Sequence, residues 1–209
     1  MYTKKIKTTL LINLFLMAFF MAAAAGEDAF VRYPAISSDG NELLFTYQGD
    51  IWKVNAQGGS AMRLTTNPAN DTRPLWSPDN KAVAFSSNRN GNYDIYTFDI
   101  AGNPVNQLTH HSKHDILSSW HGEEILFTSS RFFAQVERED DMLKINAEGG
   151  TPNRFLDVVG FEPSPSPDGN LIAFVRGSCR TSREAYRGAA NRDIWIYNTK
   201  SKAFHQITN

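Results

Sequence analysis

The chain has a single cysteine, Cys179, in 209 residues, so no internal disulfide can staple it. An excess of either charge is also missing. With 21 Lys and Arg against 22 Asp and Glu, the formal net charge is −1, which excludes the broad basic surface of a nucleic-acid binder and gives no pull toward a strongly anionic partner. No serine sits in a Gly-x-Ser-x-Gly elbow, so the nucleophile presentation of the common hydrolases is absent. A membrane-spanning run is missing too. Lys4, Lys5 and Lys7 precede an apolar run from Leu10 to Ala25 broken only by Asn13. That run is shorter than the ~20 residues that cross a bilayer, and it ends in small residues before Gly26, as a secretory signal peptide does. Residues 1–25 are therefore read as a signal peptide, and the remaining 184 or so residues as exported, to the periplasm or the cell exterior. No cysteine stands at the cleavage point to carry a lipid, so no stable membrane anchor is expected after cleavage.

What the chain does have is a phrase that recurs at intervals of roughly 40 residues, the period of propeller blades. Its turns are Ser37-Ser38-Asp39-Gly40, Ser77-Pro78-Asp79-Asn80 and Ser166-Pro167-Asp168-Gly169. Apolar pairs follow, Leu44-Phe45, Ala84-Phe85 and Ala173-Phe174, and then Asp50-Ile51-Trp52, Asp94-Ile95-Tyr96 and Asp193-Ile194-Trp195. Leu64-Thr65, Leu108-Thr109 and Ile207-Thr208 close the units. A degenerate copy carries Trp120-His121-Gly122 in place of the turn, then Leu126-Phe127, Asp141-Met142-Leu143 and Gly149-Gly150. Alternating or apolar runs with β-branched and aromatic members, separated by hairpin turn residues, make each unit a four-stranded antiparallel sheet.

The fold expected is all-β: a propeller of four blades, approximately residues 30–67, 68–111, 112–158 and 159–209. Trp52, Trp76, Trp120 and Trp195 fall at strand positions, which favours packing between blades over ligand stacking. Four blades lie at the low end of the range of about four to eight. An open ring would leave two blade faces in water. A few hundred Å² of apolar surface on each, at about 25 cal/mol per Å², amounts to roughly 10 kcal/mol, as much as a whole domain's stability. The chain stops at the end of a repeat, and it is expected to be the leading portion of something longer, part of a six-bladed ring.

Three stretches carry a family resemblance: Tyr47-Gln48-Gly49-Asp50-Ile51-Trp52, then Ser86-Ser87-Asn88-Arg89 with Gly91-Asn92 and Asp94-Ile95-Tyr96, and finally Tyr186 through Trp195. Their order resembles the amino-terminal propeller of tricorn-type serine proteases, relatives of the tail-specific peptidases. The first two stretches are also similar to TolB-like propellers. The resemblance implies a six-bladed propeller whose catalytic serine lies in later modules, so no catalytic residue is carried over. It also implies peptides or proteins, and the downstream protease domains of a longer chain, as partners; a homo-oligomer stays open. Two departures stand out: tricorn relatives are also cytoplasmic whereas this chain carries an export signal, and the third turn is eroded.

Few constellations suggest chemistry. His110, His111, His114 and Asp115 are the one dense group of metal-type ligands, but adjacent residues of an extended segment point to opposite sides, so they are read as loop residues and no metal or other cofactor is expected. Asn88, Asn90, Asn92 and Asp94 alternate like a calcium loop without its terminal Glu, and Asn90-Gly91 explains them as a hairpin turn. Ser77 and Ser166 are accounted for by turn hydrogen bonds. The insertion between Arg176 and Arg192 gathers Arg176, Arg180, Arg183, Arg187 and Arg192, whose guanidinium groups are candidates to hold the acidic end or side chains of a peptide. The competing reading, weighed more heavily, pairs them with Glu137, Glu139, Asp140 and Asp141 or leaves them in water. The function expected is a non-catalytic propeller that guides or gates peptides for an exported tricorn-like peptidase; the alternative is a stand-alone TolB-like protein-binding propeller of the periplasm.

Overall fold

In each unit the repeated turn folds the chain back on itself and sets the register of a β-meander. Ser37, Ser77 and Ser166 donate their hydroxyls to Asp39, Asp79 and Asp168 at 2.6, 2.7 and 2.6 Å, and the same hydroxyls accept the amides of Glu42, Ala82 and Leu171. The fourth turn residue takes a left-handed backbone, φ 74° at Gly40, 60° at Asn80 and 68° at Gly169, which explains the Gly or Asn there. These exposed carboxylates are held below the ordinary carboxylate range by the serine hydroxyl first and then by backbone amides, Asp168 down to about 2.

The computed structural model describes residues 30–102, 104–132, 140–178, 188 and 190–208. They form four four-stranded antiparallel sheets, each a simple meander. The first blade comprises β1 (Arg32–Ile36), β2 (Glu42–Tyr47), β3 (Asp50–Asn55) and β4 (Met62–Arg63). The second has β5 (Asp71–Trp76), β6 (Ala82–Ser87), β7 (Asp94–Asp99) and β8 (Asn106–Gln107). The third has β9 (Asp115–His121), β10 (Glu124–Ser129), β11 (Asp141–Asn146) and β12 (Asn153–Val159), and its eroded turn is a short hairpin through Gly122 and Glu123. The fourth has β13 (Phe161–Pro165), β14 (Leu171–Arg176), β15 (Asp193–Asn198) and β16 (Phe204–Gln206).

The core lies in the seams between blades rather than within any one sheet. Leu44 and Ile51 meet Trp76, Val83, Phe85, Tyr96 and Phe98 across the first seam. Ala84, Ile95 and Leu108 meet Leu117, Ile125, Phe127, Leu143 and Ile145 across the second. Met142 and Leu156 meet Ile172 and Phe174 across the third, with Trp195 against them. Trp120 lies against the second seam, so three of the four tryptophans sit at seams; Trp52 instead bonds the Tyr47 carbonyl and meets its ring edge-on within its own blade.

One backbone hydrogen bond repeats at every seam. The amide opening the next blade, at Asp71, Asp115 and Gly160, donates to the carbonyl preceding the Asp-Ile strand, at Gly49, Tyr93 and Asp140, at 2.7, 2.7 and 2.9 Å. The closing Thr of the repeat has an equally local purpose. Thr65, Thr109 and Thr208 accept the amides of Ile51, Ile95 and Ile194 at 2.9, 3.0 and 2.9 Å. The fourth blade differs in burial: the repeat position that is 0 % exposed at Ile51, Ile95 and Met142 is 45 % exposed at Ile194, beside Ile207 at 53 %.

Candidate functional site

The first strand of each blade is an edge strand, and the four of them, β1, β5, β9 and β13, converge on a common axis. An edge strand tolerates proline because its amides lack a partner on one side. Here Tyr33-Pro34, Arg73-Pro74 and Glu162-Pro163 each fall four residues before the turn serine. The strand register slips at each of these pairs, and the residue before proline adopts a left-handed backbone, φ 51° at Tyr33, 53° at Arg73 and 55° at Glu162. A bulge of this kind re-aims the side chain, and it recurs next to functional sites. In the third blade the register slips at Ser118 without a left-handed residue.

Among the three re-aimed side chains, Arg73 meets both of the others. Arg73 Nη2 donates to Glu162 Oε1 at 2.9 Å, joining the second blade to the fourth across the axis, and its guanidinium lies 4.8 Å from the centroid of the Tyr33 ring of the first blade. The third blade contributes Thr128, whose hydroxyl accepts the Glu162 amide at 3.1 Å and lies 3.2 Å from the Ser118 hydroxyl. Ser119 Oγ donates to the Pro163 carbonyl at 2.7 Å. All four blades thus supply one polar belt around the axis.

Nearer the turn end of the same four strands lies a cavity of 600 Å³. Its wall mixes apolar and polar groups in nearly equal measure: Ile36, Leu75, Trp76 and Trp120 stand beside Ser38, Ser77, Ser118, Ser119, His121 and Ser164. This size falls in the range of about 300–1,000 Å³ typical of ligand pockets.

The histidine segment turns out to be a structural clasp. His114 Nδ1 accepts the Tyr93 amide at 3.1 Å, His111 Nδ1 accepts the Lys113 amide at 3.1 Å, and Asp115 is buried against Arg131. Among the described residues no three His, Cys, Asp or Glu side chains come together as a metal site requires. The asparagine series is a clasp as well: Asn88 accepts the Asn70 amide, Asn90 donates to Gln107 and Tyr96, and Asn92 donates to the carbonyls of His111 and Lys113. Asp94 accepts bonds from Gln107, Thr109 and the His111 amide. Burial raises its pKa, and the charge of Asp115 across the seam adds to that shift.

Of the arginines singled out by sequence, Arg176 ends β14 with its guanidinium 5.8 Å from the Trp195 ring, and Arg192 lies 4.8 Å from the Phe161 ring. Arg176 lines a recess of 380 Å³ with Asp193 and Gln206. Arg180, Arg183, Arg187, Glu137, Glu139 and Cys179 lie outside the described residues. Asp141 bonds Arg154 of its own blade at 2.8 Å. The axial belt of Tyr33, Arg73 and Glu162 was not anticipated, although the repeated X-Pro pair was there to be read.

Known proteins share this propeller architecture. The family profile described as the tricorn protease N-terminal beta propeller domain matches residues 28–209. Tricorn protease homolog 1 of Streptomyces coelicolor is 24% identical over 169 residues, covering 80% of this chain and 16% of that protein. The crystal structure of the tricorn protease superposes with a TM-score of 0.70 at 15% identity, over 87% of this chain and 18% of that one. TolB from Acinetobacter baumannii superposes at 0.66 with 21% identity, over 86% of this chain and 44% of that one. The chain therefore spans less than a fifth of the length of either tricorn protein.

Proposed function

Because the chain belongs to the family of tricorn protease N-terminal β-propellers, we propose that it is the leading, non-catalytic part of an exported tricorn-like serine peptidase, and that its axial channel guides peptides toward catalytic modules carried elsewhere in that peptidase. The observation that carries this reading is the axial cavity of 600 Å³, walled by the first strands of all four blades, three of which also carry the belt of Tyr33, Arg73 and Glu162. A channel of this kind selects by size and by extended conformation, because a folded domain cannot enter it whereas an unfolded chain can. The turn serines support a non-catalytic role, since their hydroxyls are committed to Asp39, Asp79 and Asp168.

The fourth blade supports membership of a larger ring. Ile194 is 45% exposed where the same repeat position is 0% exposed in the other blades, and Ile207 beside it is 53% exposed. Export rests on the basic start and apolar run of residues 1–25.

The test is the intact mass and amino-terminal sequence of the product made in cells, followed by peptide hydrolysis with and without these blades. A product starting near Gly26, extending well past Asn209 and losing peptide hydrolysis when the blades are deleted is expected. A stable secreted product of about 184 residues would sink this reading and favour a self-contained, TolB-like protein-binding propeller.

A further inference from the structure

We propose that the axial site reads a peptide carboxylate: apolar residues of the peptide occupy the vestibule, and the carboxylate takes the Arg73 guanidinium from Glu162. This rests on the reading that the channel admits peptides, and it adds what the channel selects for.

Arg73 is placed for such an exchange. Its backbone is held left-handed at a bulge, which aims the side chain at the axis. The ion pair with Glu162 joins two side chains that are 28% and 48% exposed, so water screens it and another carboxylate can displace it. A guanidinium carries more N–H donors than the single bond to Glu162 uses, and a carboxylate that takes two of them in parallel is held more firmly. Tyr33 keeps the cation in place during the exchange, because its ring face lies 4.8 Å below the guanidinium and is indifferent to which anion sits at the edge.

The surroundings narrow the ligand further. Pro34, Pro74 and Pro163 have no amide hydrogen, so those three positions offer an anion no backbone donor, and Arg73 is the cation of the belt. Toward the mouth Trp76, Trp120, Leu75 and Ile36 stand beside Ser38, Ser77 and His121, which suits apolar or aromatic side chains with a polar edge preceding the carboxylate. A carboxylate of this kind is supplied either by the carboxy terminus of a peptide or by an Asp or Glu side chain.

The tryptophans of the vestibule provide the readout. The purified chain is titrated with acetyl-Pro-Leu-Phe-Pro-Leu as the free acid, with the same peptide as its amide, and with an amide bearing an internal Asp, following tryptophan fluorescence. The free acid is expected to bind at least about 10-fold more tightly than the amide, the contribution of a charge-assisted hydrogen bond. Equal binding by the Asp-bearing amide assigns the site to side-chain carboxylates, and binding by the free acid alone assigns it to carboxy termini. R73Q is expected to abolish the preference and E162Q, which removes the competitor, to strengthen it by several-fold. Opposite effects of two substitutions in one ion pair cannot come from loss of folding. If acid and amide bind alike, or if neither substitution changes their ratio, the carboxylate proposal fails while a peptide channel survives. If no peptide binds, both readings fail together.

Discussion

Truncating the Asp-Ile isoleucine at two equivalent repeat positions tests whether the seams are what stabilise the fold. Ile95 is 0% exposed, enclosed in the second seam with Ala84, Leu117 and Leu143, so I95A leaves a cavity as well as a lost transfer term. A cost of about 3–4 kcal/mol is expected, inside the ~2–5 kcal/mol range for such changes. Ile194 occupies the same place in the fourth blade but is 45% exposed. Full burial of such a side chain contributes about 1.5–3 kcal/mol, so the half that is buried accounts for roughly 1 kcal/mol, with no closed cavity to add. The two substitutions should therefore differ by about 2–3 kcal/mol although the residue, the strand and the Thr cap on its amide are the same. Equilibrium urea unfolding of the two variants measures this directly; with a slope near 2 kcal/mol per M the midpoints separate by about 1–1.5 M. Equal costs would refute the reasoning, because they would mean that the seam does not distinguish an enclosed position from an open one. In a longer native product the cost of I194A should rise toward that of I95A, as a further blade covers the face.

Three more outcomes follow from the same geometry. R131M strands the fully buried Asp115 carboxylate and should cost about 3–5 kcal/mol, most of it recovered when Asp115 is also made Asn; a double-mutant cycle showing additive losses would contradict this. G160A brings a methyl group to 2.9 Å from both Phe174 Cδ2 and the Val175 carbonyl, so a loss of about 1–3 kcal/mol is expected in thermal unfolding, and an unchanged Tm would show that the third seam yields. The Asp168 carboxyl should titrate near 2 in a carbon-13 NMR experiment, below the ordinary 3.8; because its folded pKa is depressed, its stabilisation is present above about pH 4 and disappears as pH falls toward 2, and S166A should return the titration toward the ordinary value.

The architecture was legible because the repeat writes out its own local chemistry. Ser-x-Asp-Gly is a turn whose hydroxyl, carboxylate and left-handed residue are all needed at once, and the closing Leu-Thr is a hydroxyl placed to receive the amide of the Asp-Ile strand. The third blade was harder to read, since a two-residue hairpin through Gly122 replaces the longer turn, yet β9 to β12 form a complete sheet because the strand pattern survived the loss. What composition could not reveal is which polar residues are buried. Asp115 and Asp94 look like loop carboxylates near histidines, and only the folding of each blade, which brings Arg131 to one and Gln107 with Thr109 to the other, turns them into structural groups.

The site was less legible for a related reason. Clustered charge along the chain draws the eye to the arginines between Arg176 and Arg192, whereas the belt is assembled from residues scattered over four blades, and Arg73 meets Glu162 across 89 residues of sequence. The signal that would have found it is the proline. An X-Pro pair inside a strand argues for an edge strand or a bulge, because the ring removes a ladder donor and crowds the residue before it. Three such pairs at one fixed distance from the turn serine place three bulges at one height, and the side chains they re-aim, an aromatic ring, a cation and a carboxylate, are complementary. Leu117 stands in the corresponding place of the third blade without a following proline, and it is buried in the seam while Tyr33, Arg73 and Glu162 face the axis. Placing Pro at Ser118 should therefore disturb the second seam rather than extend the belt.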